Sequence, residues 1–115
     1  MPFPQQPTFQ AAIAYTVASQ AVTIAVSRTN PAAKVTNNAA ASVTITIATA
    51  GAVDGQPLIV TFYDATAAAQ TITWSGTENS ATSAPTTSNG STTSPITVGF
   101  RYNAATGAWR CVAST

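Results

Sequence analysis

Short runs that alternate β-branched and small polar residues constrain this chain more than any other feature. In "SVTITIAT" the side chains of Val43, Ile45 and Ile47 fall on one side of an extended backbone and those of Thr44 and Thr46 on the other, because successive side chains of a strand point to opposite faces. The same period recurs at Val22, Ile24 and Val26, at Leu58, Val60 and Phe62, at Ile72 and Trp74, and at Ile96, Val98, Phe100 and Tyr102. Turn-forming stretches such as "RTNP", "AGAVDGQP" and "NAATG" bound these runs. "AAIAYTVASQ" is ambiguous, since Ala favours helix, but Ile13, Tyr15 and Val17 alternate and favour a strand. "AKVTN" reads as a short edge strand. "LIVTFYD" is apolar on both faces, which predicts a strand that is central or packed on both sides. The stretch from Ser75 to Ser94, almost all Ser, Thr, Asn, Ala and Gly, reads as an exposed loop with room for one short strand. About seven or eight short strands with no helical periodicity predict an all-β chain, an antiparallel β-sandwich or jelly-roll-like barrel.

At 115 residues the chain has room for one domain, assigned to residues 11–115, with residues 1–10 as an arm. Hydrophobic residues make up 45% of it, but 24 of them are Ala, so the core is expected to be thin and completed by burial against a neighbour. Charged residues are only 6% and the net charge is +1. No basic stripe exists to neutralise phosphates, which argues against nucleic-acid binding. A surface built of Ser, Thr, Asn and Gln in place of charge suits a protein assembled into something larger, and a homo-oligomer is expected. No apolar run reaches the roughly 18 residues that a membrane helix needs, and the first residues lack the basic and apolar regions of a secretory signal. The opening Met then suggests a short gene product made in a cytoplasm.

The search for chemistry is short. Without a single His, the chain lacks the commonest general base and metal ligand. Its three carboxylates, Asp54, Asp64 and Glu78, sit in different turns, which disfavours a paired-carboxylate hydrolase. Cys111 has no His to activate it and reads as a small buried hydrophobe. "VDGQ" is too poor in oxygens for a Ca²⁺ loop, and "NGS" at Asn89 is read as loop composition. No enzyme, cofactor or metal is therefore expected. "RYNAATGAWRCV" gathers charge, Trp and Cys, yet reads as a hairpin whose Gly107 takes the positive-φ position, with Trp109 and Cys111 inward and Arg101 and Arg110 outward. Tyr63 and Trp74 beside Thr- and Asn-rich loops could stack on sugars, although core positions suit both better.

The arm, "MPFPQQPTFQ", carries prolines at positions 2, 4 and 7 that exclude a helix. It reads as an extended arm, either a disordered tail or a segment whose Phe3 and Phe9 fill pockets of a partner, with Arg28, Arg101 and Arg110 as further contacts.

From Val43 onward the chain resembles the small β-sandwich modules of tailed-bacteriophage virion proteins: capsid decoration proteins, head fibres and tail-fibre or minor tail proteins. The resemblance rests on "VTITIATAGAVDGQPLIVTFYDATAAAQTITW", a loop containing "APTT", and "SPITVGFRYNAATGAWRCV". Its specific parts are a G-x-x-x-G-Q turn before "LIVTF", a "TITW" strand and a final hairpin of form F-x-Y-N-x-x-T-G-x-W. It implies a structural protein with no catalytic residues, placed on the capsid surface of a virion as a decoration protein. The implied partners are the major capsid protein and further copies of the chain, most simply as a trimer. A receptor- or carbohydrate-binding head-fibre or tail-fibre module is the alternative, and a cell-surface adhesin or enzyme-associated carbohydrate module a third reading.

Overall fold

Among the described residues eight strands form where the alternation places them, but they pair in an order that the pattern does not reveal. A computed structural model describes residues 11–78 and 84–115. Its strands are β1 (Ile13–Thr16), β2 (Ala21–Ile24), β3 (Ala32–Asn37), β4 (Val43–Ile47), β5 (Pro57–Asp64), β6 (Ile72–Ser75), β7 (Ile96–Asn103) and β8 (Ala108–Ser114). One sheet has the order β1-β3-β5-β7-β8 and the other β2-β4-β6. Up to β6 the chain thus visits the two sheets in turn, winding as a flattened coil in which each strand lies beside the one two elements earlier.

The expectation of an antiparallel sandwich or jelly-roll-like barrel is therefore wrong. β1, β3 and β5 are mutually parallel, as are β2, β4 and β6, and only β5–β7 and β7–β8 are antiparallel. Alternation specifies which face of a strand is buried and is silent about the direction of its neighbour. "RTNP" and "AGAVDGQP", read as turns, carry the chain across from one sheet to the other, whereas "NAATG" does close a hairpin between β7 and β8. "AKVTN" is not an edge strand either, since β3 lies between β1 and β5. Lys34 on this strand points outward with its ammonium 4.8 Å from the centre of the Tyr63 ring.

Stacked coils place like residues in ladders. In the larger sheet Tyr15, Val35, Phe62 and Ile96 lie in register, and beside them Ile13, Ala33, Val60 and Val98. In the smaller sheet Val22, Ile45 and Trp74 align. The two inward faces meet in one core that includes Trp109, Phe100 and Cys111 from the terminal hairpin. β5 is the middle strand of its sheet, yet its second face is open, with Ile59 47% exposed. Where the ladders end at the coil edge they turn polar. Asn37 pairs with Asp64, both buried. Asp64 accepts the Thr66 N–H at 3.1 Å and the Ser88 hydroxyl, while Ser88 Oγ accepts the Gln70 N–H at 2.8 Å. Ser88, read as part of an exposed loop, is thus a core residue; it partners a buried carboxylate that needs donors.

The two ends of the coil differ. At one end the β7–β8 hairpin adds to β5, turns through Gly107 at φ 68°, and bonds back to the chain leaving β6: Trp109 N–H donates to Gly76 O at 3.0 Å, and Glu78 N–H to Trp109 O at 2.8 Å. At the other end, among the described residues, no strand lies on the outer edges of β1 and β2.

Candidate functional site

The outward face of the larger sheet carries the most prominent surface. Its side chains come from the outward register positions of β5, β7 and β8. Ile59 is paired with Gly99, and Gly99 with Ala113. Val112 leans over Gly99, its Cγ2 3.7 Å from where a Cβ would stand. The glycine leaves a dip between two exposed apolar side chains, Ile59 at 47% and Val112 at 49%. Arg101 and Arg110 face one another across β7 and β8 at the rim.

Two arginines directly opposite repel, and each is held by its own acceptor. Arg101 Nη1 donates to Gly55 O at 3.0 Å, and Arg110 Nε to Glu78 Oε2 at 2.7 Å. Glu78 is 8% exposed and Arg110 55%. Glu78 Oε1 also accepts from Asn103 Nδ2 at 2.6 Å and from the Thr106 hydroxyl. These bonds, the Thr106 hydroxyl first and then Arg110, hold its carboxyl below the usual glutamate range against the opposing effect of burial. Between the arginines and the turn at Asp54 lies a shallow depression of about 260 Å³, reaching Tyr102 and Val112.

A folded-state pKa below the unfolded value means that the Glu78 contribution is fully present above the usual glutamate pKa of about 4.3 and is lost as pH falls from there through the folded value. The native chain is therefore expected to exceed Glu78→Gln in urea midpoint at pH 7 and to converge with it as pH falls below the usual glutamate range. Curves that stay parallel across that range would show that Glu78 is not held as described.

Of the residues picked out by sequence, Arg101 and Arg110 come together here. Arg28 does not. It lies in the connection after β2, where its Nε and Nη2 hold Gly51 O at 3.3 and 3.0 Å. Phe3 and Phe9 lie outside the described residues. Tyr63 faces outward, half-buried under Lys34, and Trp74 packs on Phe100 at 5.4 Å with its indole N–H given to Pro85 O. Burial pushes the Cys111 thiol up, so it stays protonated and unreactive at neutral pH. Among the described residues no three His, Cys, Asp or Glu side chains gather as metal ligands, and no helix is long and apolar enough to cross a membrane.

The chain matches no protein-family model, no curated protein and no solved structure. What the surface can do must then be read from its own chemistry, which is apolar contact framed by two cationic forks. The Ile59–Val112 pair was missed by sequence reasoning. The signal was present, since Ile59 and Val112 fall on the polar side of their strands, but an apolar residue there also suits a strand packed on both faces.

Proposed function

We propose that this chain is a structural protein of a bacteriophage virion, a decoration protein that binds the major capsid protein of the assembled shell and catalyses nothing. The reading is carried by the outward face of the larger sheet. There Ile59 and Val112 are about half exposed around the Gly99 dip, on a chain with 6% charged residues. Large apolar side chains set together on a face that folding does not cover mark contact with a partner, and arginines at the rim suit carboxylates and carbonyls on the facing surface. The stoichiometry proposed with it is a homotrimer, which sedimentation of the free protein at micromolar concentration measures.

Shells that lack the protein provide the test. The native chain is expected to co-sediment with them in many copies. Ile59→Asp combined with Val112→Asp should leave the melting temperature within a few degrees and weaken binding at least about tenfold. Unchanged binding by the double variant, or failure of the native chain to bind, would overturn the proposal.

A further inference from the structure

Charge on this chain is sparse but one-sided. Every charged side chain, four cationic and three acidic, lies among the described residues. Two of the acids are withdrawn from solvent, Asp64 at 1% exposure and the Glu78 side chain at 8%. The third, Asp54, stands in an exposed turn, where its Oδ1 accepts the Ala104 N–H at 2.9 Å. All four cations are exposed. A formal net charge of +1 therefore understates what a partner meets.

Three of those cations belong to the outward face of the larger sheet, and the register sets them around the apolar pair. Lys34 is paired with Thr61 and Thr61 with Thr97, which makes one row across the strands. The next row is Ile59 with Gly99, under Val112. The third is Pro57 with Arg101, and Arg101 with Arg110. Successive rows lie two residues apart, roughly 6.6 Å along a strand, so the ammonium row and the guanidinium row stand about 13 Å apart with the apolar row between them. No outward position of these strands carries a carboxylate.

The arginines have donors to spare. Arg101 uses Nη1 on Gly55 O and Arg110 uses Nε on Glu78, and the Arg110–Glu78 contact is the only ion pair among the described residues. Two opposed guanidinium forks, each tethered at one nitrogen, repel until an anion joins them, and a carboxylate matches such forks in size and plane. The depression of about 260 Å³ beside them runs on to Val112, which links this position to the apolar row. Three cations split by an apolar row do not suit a duplex, whose charges recur every ~1.7 Å of its axis.

We propose that this face recognises an acidic protein segment: an apolar side chain seated over Gly99, one carboxylate shared by Arg101 and Arg110, and a second at Lys34. The inference rests on the shell-binding reading, under which the segment belongs to the major capsid protein, and it names the chemistry of the surface that is bound.

Immobilised poly-L-glutamate tests the chemistry without the shell. The native chain is expected to be retained at low salt, and Arg101→Gln and Lys34→Gln to elute at lower salt than it does. Arg28→Gln is the control, an equal loss of charge away from the sheet face, and should elute close to the native chain. Lys34→Gln also guards against a folding defect, since Lys34 holds no backbone carbonyl as Arg101 does. On shells that lack the protein, the first two variants should bind at least about fivefold more weakly than the native chain and Arg28→Gln less than about twofold, with association slowed by added salt. Failure of poly-L-glutamate to retain the native chain, or equal effects of the three substitutions, overturns the inference. So does tighter retention by a single-stranded DNA oligonucleotide of the same charge, which would assign the face to phosphate. If the native chain and all three variants bind shells alike, the acidic segment is refuted while shell binding stands. Position-dependent retention on poly-L-glutamate without binding to shells would support recognition of carboxylates and refute the shell as the partner.

Discussion

Gly76→Ala is expected to lower stability by about 3 kcal/mol or more, a large share of the ~5 to 15 kcal/mol that such domains possess. Gly76 takes φ +80° where the chain leaves β6, and an added Cβ would stand 2.2 Å from the carbonyl oxygen of Ile47 at the end of β4. Positive φ alone costs a non-glycine residue about 1 kcal/mol. The contact is with backbone that cannot rotate away, so a strand end must shift, and the Gly76 carbonyl that accepts the Trp109 N–H shifts with it. Gly107→Ala is the matched control. Its φ is +68°, but the nearest atom to the added Cβ is Tyr102 Oη at 4.0 Å. Urea midpoints should rank native, Gly107→Ala and Gly76→Ala in falling order with unequal gaps. Equal losses at the two glycines would show that backbone conformation, and not the close approach to Ile47, sets the cost.

Trp109→Ala is expected to cost about 4 to 6 kcal/mol and to unfold much of the population at 37 °C. The side chain is 1% exposed and lies edge-on to Tyr102 at 5.3 Å. Its Nε1–H donates across the core to Ala48 O at 2.9 Å. Truncation opens a large void and strands a carbonyl at once. Trp109→Phe separates the two effects, because it refills most of the volume without the donor and should cost about half as much. Chemical denaturation of all three proteins gives both numbers. A Phe variant as damaged as the Ala variant would assign the cost to the hydrogen bond.

These two positions also show how far the sequence carries. Trp109 and Cys111 were legible as inward, and Arg101 and Arg110 as outward, because a two-residue period leaves no other assignment once one face is buried. Gly76 was not legible, since its neighbour Ile47 is 29 residues away and belongs to a strand whose pairing the pattern leaves open. The parallel order failed to appear for the same reason: Val43–Ile47 and Ile72–Ser75 would alternate identically in an antiparallel pair. β1 was ambiguous because the alanines in and around it favour helix, and its apolar face, Ile13 and Tyr15, is not fully buried in the fold. Of the candidate surface, the arginines were visible but their restraint was not. Glu78, which holds Arg110, stands in a Ser- and Thr-rich stretch whose path no periodicity reveals.

The alternation of the chain between its two sheets turns size into something counted in whole steps. Each circuit of 20 to 29 residues adds one strand to each layer and lengthens the stack by one interstrand spacing, about 4.8 Å. Because each circuit meets only its neighbours, gain or loss of one by duplication or deletion leaves the rest of the core intact. The hairpin shuts one end against such growth and leaves it to the other. A lineage built on this plan could therefore set its reach by copying a single unit, in the manner of a ruler marked in strands.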